Sequence, residues 1–127
     1  MKILCVDDSN VVRKIVSGAV HDLGYDALEA CNGLEALALL ETESTVVAAI
    51  TLDVTMPVMS GMECLEALKA NPRFADIPVV MMTAVADKES VLKAIRLGAK
   101  HYLPKPFSPE DVSDRLTHVL GVVNNNR

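Results

Sequence analysis

The chain has 127 residues, half of them hydrophobic, and its 12 basic and 17 acidic side chains give a formal net charge of −5. A chain of this length forms one hydrophobic core and is too short for two domains. The acidic balance and the lack of a Lys/Arg cluster argue against direct binding to nucleic acid or to an anionic membrane. No apolar run approaches the roughly 20 residues of a membrane span, and the initial run ILCV is too short for a secretory signal, so we expect a cytoplasmic protein.

Short apolar runs and amphipathic segments alternate along the chain. The runs expected to form strands are ILCV (3–6), YDALEA (25–30), VVAAITL (46–52), PVVMMT (78–83) and HYL (101–103). Each is followed by a segment with an apolar stripe at helical spacing or with a potential N-cap residue. These segments begin at Val11, Asn32, Ser60, about Asp87 and Ser108.

A strand followed by a helix, five times over, predicts an α/β fold with a parallel sheet covered by helices on both faces. The near-continuous apolar strands support this prediction, because a parallel sheet is buried on both sides. We expect a doubly wound, flavodoxin-like sheet with strand order 2-1-3-4-5, in which ligands bind at the carboxyl ends of the strands. The domain is expected to cover residues 1–121, followed by a frayed tail over 122–127.

Three carboxylates follow the ends of predicted strands. Asp7 and Asp8 come directly after the first strand, and Asp53 ends the third. Strands one and three are neighbours in this order, so the three side chains should converge and repel one another. Oxygen ligands of this kind suit a hard divalent cation, and we expect Mg²⁺, with Asp53 as the best nucleophile.

Two further polar residues lie at the same edge, Thr83 at the end of the fourth strand and Lys105 after the fifth. Each residue alone has an ordinary structural explanation as a turn, cap, strand or surface residue. Together, carboxylates, a metal, an ammonium and a hydroxyl are the parts of a phosphoryl-transfer site.

The cysteines and histidines offer no second site. Cys5, Cys31 and Cys64 are far apart without metal-ligand spacing, and we expect them to be buried free thiols. The three histidines occupy scattered positions, and we expect no catalytic role for them.

Four segments carry a family resemblance: VDDS at 6–9, LDVTMPVMSG at 52–61, MTA at 82–84 and GAKHYLPKPF at 98–107. In combination they resemble the receiver domain of bacterial response regulators, especially the single-domain, chemotaxis-type (CheY-like) regulators. The resemblance covers nearly the whole chain, residues 1–121. It implies a signalling switch that catalyses only its own phosphorylation and dephosphorylation, and is therefore no enzyme toward external substrates.

The resemblance also implies roles for the site residues. Asp53 would be the phosphoacceptor, with Asp8 as a direct Mg²⁺ ligand and Asp7 holding the metal mainly through water. The backbone carbonyl of Thr55 would complete the protein ligands, and Mn²⁺ is a possible substitute for Mg²⁺.

Further residues are implied in the switch. Thr83 and Lys105 would bind the phosphoryl group, and Tyr102 would turn inward when Thr83 moves. Ala84 is small, as access of the phosphodonor requires, and the Lys105–Pro106 peptide bond should be cis.

The resemblance implies protein partners as well. A histidine kinase or phosphotransfer protein would supply the phosphoryl group, and a target protein would bind the face made by the fourth helix, fifth strand and fifth helix. The domain would be a monomer or weak dimer.

Two side chains are expected to set how long the phosphorylated state lasts. In this family water attacks phosphorus past the residues two positions after the phosphoacceptor and two after the switch threonine, here Thr55 and Val85. Val85 offers no hydrogen bond and Thr55 only a short hydroxyl, so neither is suited to orient the water. We therefore expect a comparatively long-lived phosphorylated form.

Three other functions remain as alternatives. A haloacid-dehalogenase-type phosphatase also uses an aspartate nucleophile with Mg²⁺, but DVTMP at 53–57 lacks that family's second Asp. A flavin carrier would need a phosphate cradle where this chain has DDSN at 7–10. An unphosphorylated pseudo-receiver scaffold would not need the full set of five site residues.

Overall fold

The structure is a computed structural model that describes residues 1–84 and 88–121. In these ranges five strands alternate with five α-helices, and a short 3₁₀ helix precedes the third strand. The elements are β1 (Lys2–Val6), α1 (Asn10–Asp22), β2 (Asp26–Ala30), α2 (Gly33–Glu43), the 3₁₀ helix (Ser44–Val46), β3 (Val47–Asp53), α3 (Gly61–Ala70), β4 (Val79–Thr83), α4 (Lys88–Arg96), β5 (His101–Pro104) and α5 (Pro109–Leu120). The predictions for Val85, for a helix start at Asp87 and for the tail 122–127 lie outside the described residues.

The five strands form one parallel sheet in the order β2-β1-β3-β4-β5. This confirms the predicted fold class and strand order. Asp53 pairs with Met82 and Thr83 with Pro104, so the last residues of β3, β4 and β5 lie side by side. None of the described helices is long and apolar enough to span a membrane.

The sheet separates two hydrophobic clusters. On one face Leu4 and Val6 of β1 pack in a cluster with Leu65 of α3, and on the other Ile3 packs in a cluster with Leu116 of α5. The alternation follows from the strand itself, because successive side chains point to opposite faces. Burial on both sides explains why the central strands are mostly apolar.

Three predicted N-caps are confirmed, and each helix begins where its cap predicts. The side chain of Asn32 accepts a hydrogen bond from the Glu35 N–H, while Ser60 and Ser108 each open a capping box. A side-chain acceptor satisfies a backbone N–H that has no partner within the helix.

The prediction that Cys31 is buried is wrong, and two other apolar residues are exposed. Val11 is 70% exposed and Ile95 is 47% exposed, although both belong to apolar stripes. Each adjoins a residue that faces the sheet, and neighbouring helical residues lie about 100° apart, so both members of the pair cannot face it. Cys31 is partly exposed because it follows the edge strand β2, whereas Cys5 and Cys64 are buried as expected.

The first residue of α3 packs directly on the backbone of the central strand. The Gly61 N–H donates to the Val54 carbonyl at 2.8 Å. A Cβ on Gly61 would collide with the carbonyl oxygen of Asp53 and lie 2.7 Å from the Cα of Val54. The lack of a side chain at Gly61 therefore lets α3 hold the end of β3 in place.

We predict opposite effects for alanine at two helical glycines. Gly61→Ala should destabilise the protein by about 1–3 kcal/mol, because the new methyl group meets backbone that cannot yield easily. Gly18→Ala should stabilise it by about 0.5–1 kcal/mol, since nothing lies within 4 Å of a Cβ at Gly18. Urea unfolding of both variants measures the difference, and equal stabilities would contradict the close packing at Gly61.

Candidate functional site

Three carboxylates meet at the carboxyl ends of β1 and β3. Asp7 and Asp53 are 1% and 3% exposed, whereas Asp8 is exposed. One oxygen from each lies within 4.8 Å of the others. The structure thus brings together the carboxylates that the strand order predicts to converge.

Lys105 reaches into this group. Its Nζ lies 2.9 Å from Asp7 Oδ2 and 3.2 Å from Asp53 Oδ1. The Lys105–Pro106 peptide bond is cis, as predicted, and the Lys105 N–H donates to the Thr83 carbonyl at 2.7 Å. The contact with Asp53 is the predicted one, while the closer contact with Asp7 was not expected.

The charges at the site shift one another's pKa. The pKa of Asp53 is raised to about 6: burial raises it most and repulsion from Asp7 and Asp8 adds to the rise, while the Lys105 ammonium opposes it. Burial lowers the pKa of Lys105, but the carboxylates of Asp7 and Asp53 outweigh it and raise that pKa overall. The ammonium therefore stays charged while the Asp53 carboxylate is disfavoured.

The donor set fits a divalent cation. Asp7 Oδ1 accepts a hydrogen bond from the Ser9 N–H at 2.8 Å. Asp7 Oδ2 is fully buried, and its partner among the described residues is the Lys105 ammonium at 2.9 Å. Three carboxylates around one ammonium leave excess negative charge, and hard oxygen ligands are those that Mg²⁺ prefers.

The other predicted site residues lie on β4 and β5 and in the loops after β3 and β4, at differing depths. Thr83 is buried at the end of β4, while Ala84 and Thr55 are exposed in the loops after β4 and β3. Tyr102 is partly buried on β5 and lines a narrow cleft under α4 together with Thr83 and Ala94. The predicted switch pair thus shares one cavity, although Tyr102 is not among the residues around Asp53.

Two features near the site escaped the sequence analysis. Val58, 73% exposed, has a φ of 72°, and the Met59 N–H donates to the Pro57 carbonyl at 2.8 Å across it. This is the rare form of γ-turn, whose central φ is positive. A β-branched residue such as valine seldom adopts a positive φ, so the sequence did not predict the turn. Arg13 of α1 donates to the Asp7 carbonyl, and the only signal was a cation in the first turns of a helix, where the dipole disfavours it.

A profile of the response regulator receiver domain matches residues 3–117. The chain belongs to the response regulator receiver family. This receiver domain is 38% identical over 122 residues to chemotaxis protein CheY1 of Helicobacter pylori, an alignment that covers 95% of this chain and 98% of the relative. CheY-type receiver domains are signalling switches and generally not classical enzymes.

Solved structures agree with the family. The chemotaxis response regulator CheY4 of Vibrio cholerae matches this receiver domain with a TM-score of 0.86 at 36% identity, over 93% of this chain and 97% of that chain. A chain in the CheX–CheY–BeF₃–Mg²⁺ complex from Borrelia burgdorferi matches with a TM-score of 0.87 at 28% identity, over 94% and 88%. The resemblance to chemotaxis-type receivers is therefore confirmed.

We predict that Asp53→Asn stabilises the metal-free receiver domain at neutral pH. Asp53 has a folded pKa of about 6 against an ordinary 3.8. The stability that its neutral form contributes is therefore full below about pH 4 and is lost as the pH rises through about 6. Asparagine is neutral at every pH and does not lose this stability. The free energy of unfolding of the variant should therefore exceed that of wild type by up to about 3 kcal/mol near pH 8 and by little near pH 4.

Urea unfolding in the presence of a chelator at both pH values measures this gain. The exposed Asp26 provides a matched control, since Asp26→Asn changes the same charge away from the site. A variant at Asp53 that is less stable than wild type near pH 8 would mean that attraction to Lys105 exceeds the cost of burial and repulsion.

Proposed function

We propose that this receiver domain is a phosphorylation-driven switch in which Asp53 accepts a phosphoryl group from a phosphohistidine of a sensor kinase or phosphotransfer protein. The observation that carries the proposal is the buried Asp53 carboxylate beside both Lys105 and the other two carboxylates. A carboxylate oxygen attacks phosphorus, the P–N bond breaks, and its electron pair leaves with the imidazole nitrogen. The product is an acyl phosphate on Asp53.

The same residues fit a bound Mg²⁺, and Mn²⁺ could replace it. Asp8 and Asp53 would hold the ion directly, Asp7 mainly through water, and the Thr55 carbonyl would complete the protein ligands. When bound, the ion neutralises phosphoryl oxygens in the transition state.

The chain's own cation and hydroxyl would act on the phosphoryl group. Lys105 already contacts an Asp53 oxygen, so its ammonium is positioned to bind an oxygen of a phosphoryl group attached there. Thr83 ends the neighbouring strand and supplies a hydroxyl donor. Ala84, exposed and small, leaves the approach to Asp53 open to a phosphodonor.

The output would follow from the cleft that Thr83 and Tyr102 share. Movement of the threonine toward a phosphoryl group changes the space next to the tyrosine and biases an existing two-state equilibrium. The face of α4, β5 and α5 would then bind a target protein. Leu92 and Ile95 on α4, 52% and 47% exposed, offer it apolar contact. The Borrelia burgdorferi match is a complex of a CheY with CheX, which supports a protein partner.

The proposal extends to the surroundings of the domain. We infer a cytoplasmic protein, monomeric or weakly dimeric, whose receiver unit runs to residue 121.

Two candidate functions compete with the switch. A phosphatase would release the phosphoryl group from an external substrate repeatedly, and a pseudo-receiver scaffold would never acquire one.

A small phosphodonor such as acetyl phosphate should modify the domain once in the presence of Mg²⁺. Intact-mass spectrometry should detect a single phosphoryl adduct that Asp53→Asn abolishes. Asp8→Ala should weaken Mg²⁺ binding and with it the modification. Lys105→Ala should leave Mg²⁺ binding in place or tighten it, because a competing cation is gone.

The outcomes separate the three functions. Sustained release of phosphate far beyond one equivalent would favour the phosphatase, and no adduct under any condition would favour the scaffold. An adduct that survives Asp53→Asn would overturn the choice of phosphoacceptor.

The phosphorylated form should be long-lived because Thr55 and Val85 are poorly suited to orient an attacking water. We predict that Thr55→Asn and Val85→Glu each speed dephosphorylation, by about 10–100-fold in combination, because a longer polar side chain can hydrogen-bond that water. The decay of the phosphorylated protein after removal of the donor measures the rate. Thr45→Asn, an exposed site in the 3₁₀ helix before β3, is a matched control. Unchanged decay in both site variants would mean that other groups set the lifetime.

A further inference from the structure

A partly buried arginine, Arg13, links the acidic loop after β1 to the edge strand β2. Arg13 Nη1 donates to the Asp7 carbonyl at 2.6 Å, and its Nε lies 3.1 Å from Glu29 Oε1 on β2. The Arg13 side chain is 16% exposed, so both contacts are largely shielded from solvent. A guanidinium presents donors along two edges of a plane and can hold two acceptors at once.

Other bonds restrain both ends of this link. Glu29 Oε2 accepts from the Ser17 hydroxyl at 3.3 Å and lies 3.7 Å from Lys14 Nζ. The Asp7 N–H donates to the Ala30 carbonyl at 3.1 Å. Both carboxylate oxygens of Glu29 therefore contact side chains of α1. Asp7 is hydrogen-bonded through its N–H, its carbonyl and its carboxylate.

The Asp7 carbonyl belongs to the peptide group that joins Asp7 to Asp8. Fixing that oxygen fixes the plane of this peptide, and with it the direction in which the exposed Asp8 side chain leaves the backbone. Within the part of the chain that the structure describes, the Asp8 carboxylate makes no hydrogen bond or ion pair, so the contact to the Asp7 carbonyl is the means by which the fold can orient it.

We propose that Arg13, held by Glu29, is a positioning residue that orients the Asp7–Asp8 loop for Mg²⁺. The proposal rests on the Mg²⁺ site of the proposed function, and it assigns Arg13 no contact with the ion. Loss of an outer partner of a metal ligand typically weakens binding by about 10–100-fold, and we expect about tenfold for Arg13→Ala.

The sign of the effect distinguishes positioning from charge. Arg13 is a cation close to the carboxylates, so its removal would tighten Mg²⁺ binding if its charge were all that mattered. If it orients the loop, its removal weakens binding despite the charge. Arg13→Lys keeps the charge, but its single ammonium cannot hold both acceptors, so that variant should also bind Mg²⁺ more weakly, to a smaller extent.

The experiment is a Mg²⁺ titration, followed by calorimetry and by amide NMR signals, of wild type, Arg13→Ala, Arg13→Lys, Glu29→Gln and Arg73→Ala. Arg73 forms an exposed pair with Glu41 at 3.0 Å, so Arg73→Ala makes the same change in net charge at another place and should leave the affinity unchanged. At saturating Mg²⁺ the phosphorylation rate of Arg13→Lys should return toward that of wild type.

Each outcome decides the proposal. Weaker binding by the Arg13 and Glu29 variants, with Arg73→Ala unchanged, supports it. Wild-type affinity or tighter binding in Arg13→Ala overturns it. If Arg13→Ala fails to fold, wild-type affinity in both Arg13→Lys and Glu29→Gln overturns it. Failure of the wild type itself to bind Mg²⁺ overturns the proposed function and the positioning role together, whereas failure of the variants to differ overturns only the positioning role.

Discussion

The ammonium of Lys105 between Asp7 and Asp53 is the interaction on which the site depends. Two carboxylates that are almost fully buried repel each other, and burial alone disfavours their charge. A cation 2.9 Å from one and 3.2 Å from the other makes their joint burial tolerable. Because the compensation is partial, the pKa of Asp53 stays raised. The fold thus keeps the Asp53 carboxylate in an environment that favours a further positive charge.

The sheet topology explains why these residues can meet. Asp7 follows β1, Asp53 ends β3 and Lys105 follows β5, so the four crossovers between β1 and β5 bring them to the same edge of the sheet. Their spacing is set by strands that are buried on both faces. A slip of one residue in register would move each apolar side chain from its own hydrophobic cluster to the opposite face of the sheet. The backbone contact of Gly61 with the end of β3 adds a restraint from the helix side. The packing of the hydrophobic core therefore fixes the relative positions of the site residues.

The sequence predicts what depends on period and topology. Apolar strands and capped helices identified the fold, and the strand order then brought Asp7 and Asp53 together. It could not predict which neighbour in an apolar stripe faces solvent, as at Val11, because the phase of a helix is set by its packing. Nor could it predict the γ-turn at Val58, which runs against local preference, or the reach of Arg13 to the Asp7 carbonyl. The partners of a long side chain depend on the tertiary positions of the surrounding groups, which the local sequence does not specify.

A phosphoryl group on Asp53 would change the balance that Lys105 maintains. It brings about two negative charges and strong acceptor oxygens to a place where one ammonium already serves two carboxylates. Under the proposed function, the Lys105 ammonium would contact the phosphoryl group at the expense of its contact with Asp7, and the Thr83 hydroxyl would become a donor to the phosphoryl oxygens. Thr83 also borders the cleft beneath α4 that Tyr102 lines. A shift of this buried side chain would therefore change the packing in that cleft, and because protein interiors are densely packed, the neighbouring tyrosine would have to adjust. The route from charge to surface needs no large movement of the sheet, only two arrangements of this cleft with differential affinity for the modified site.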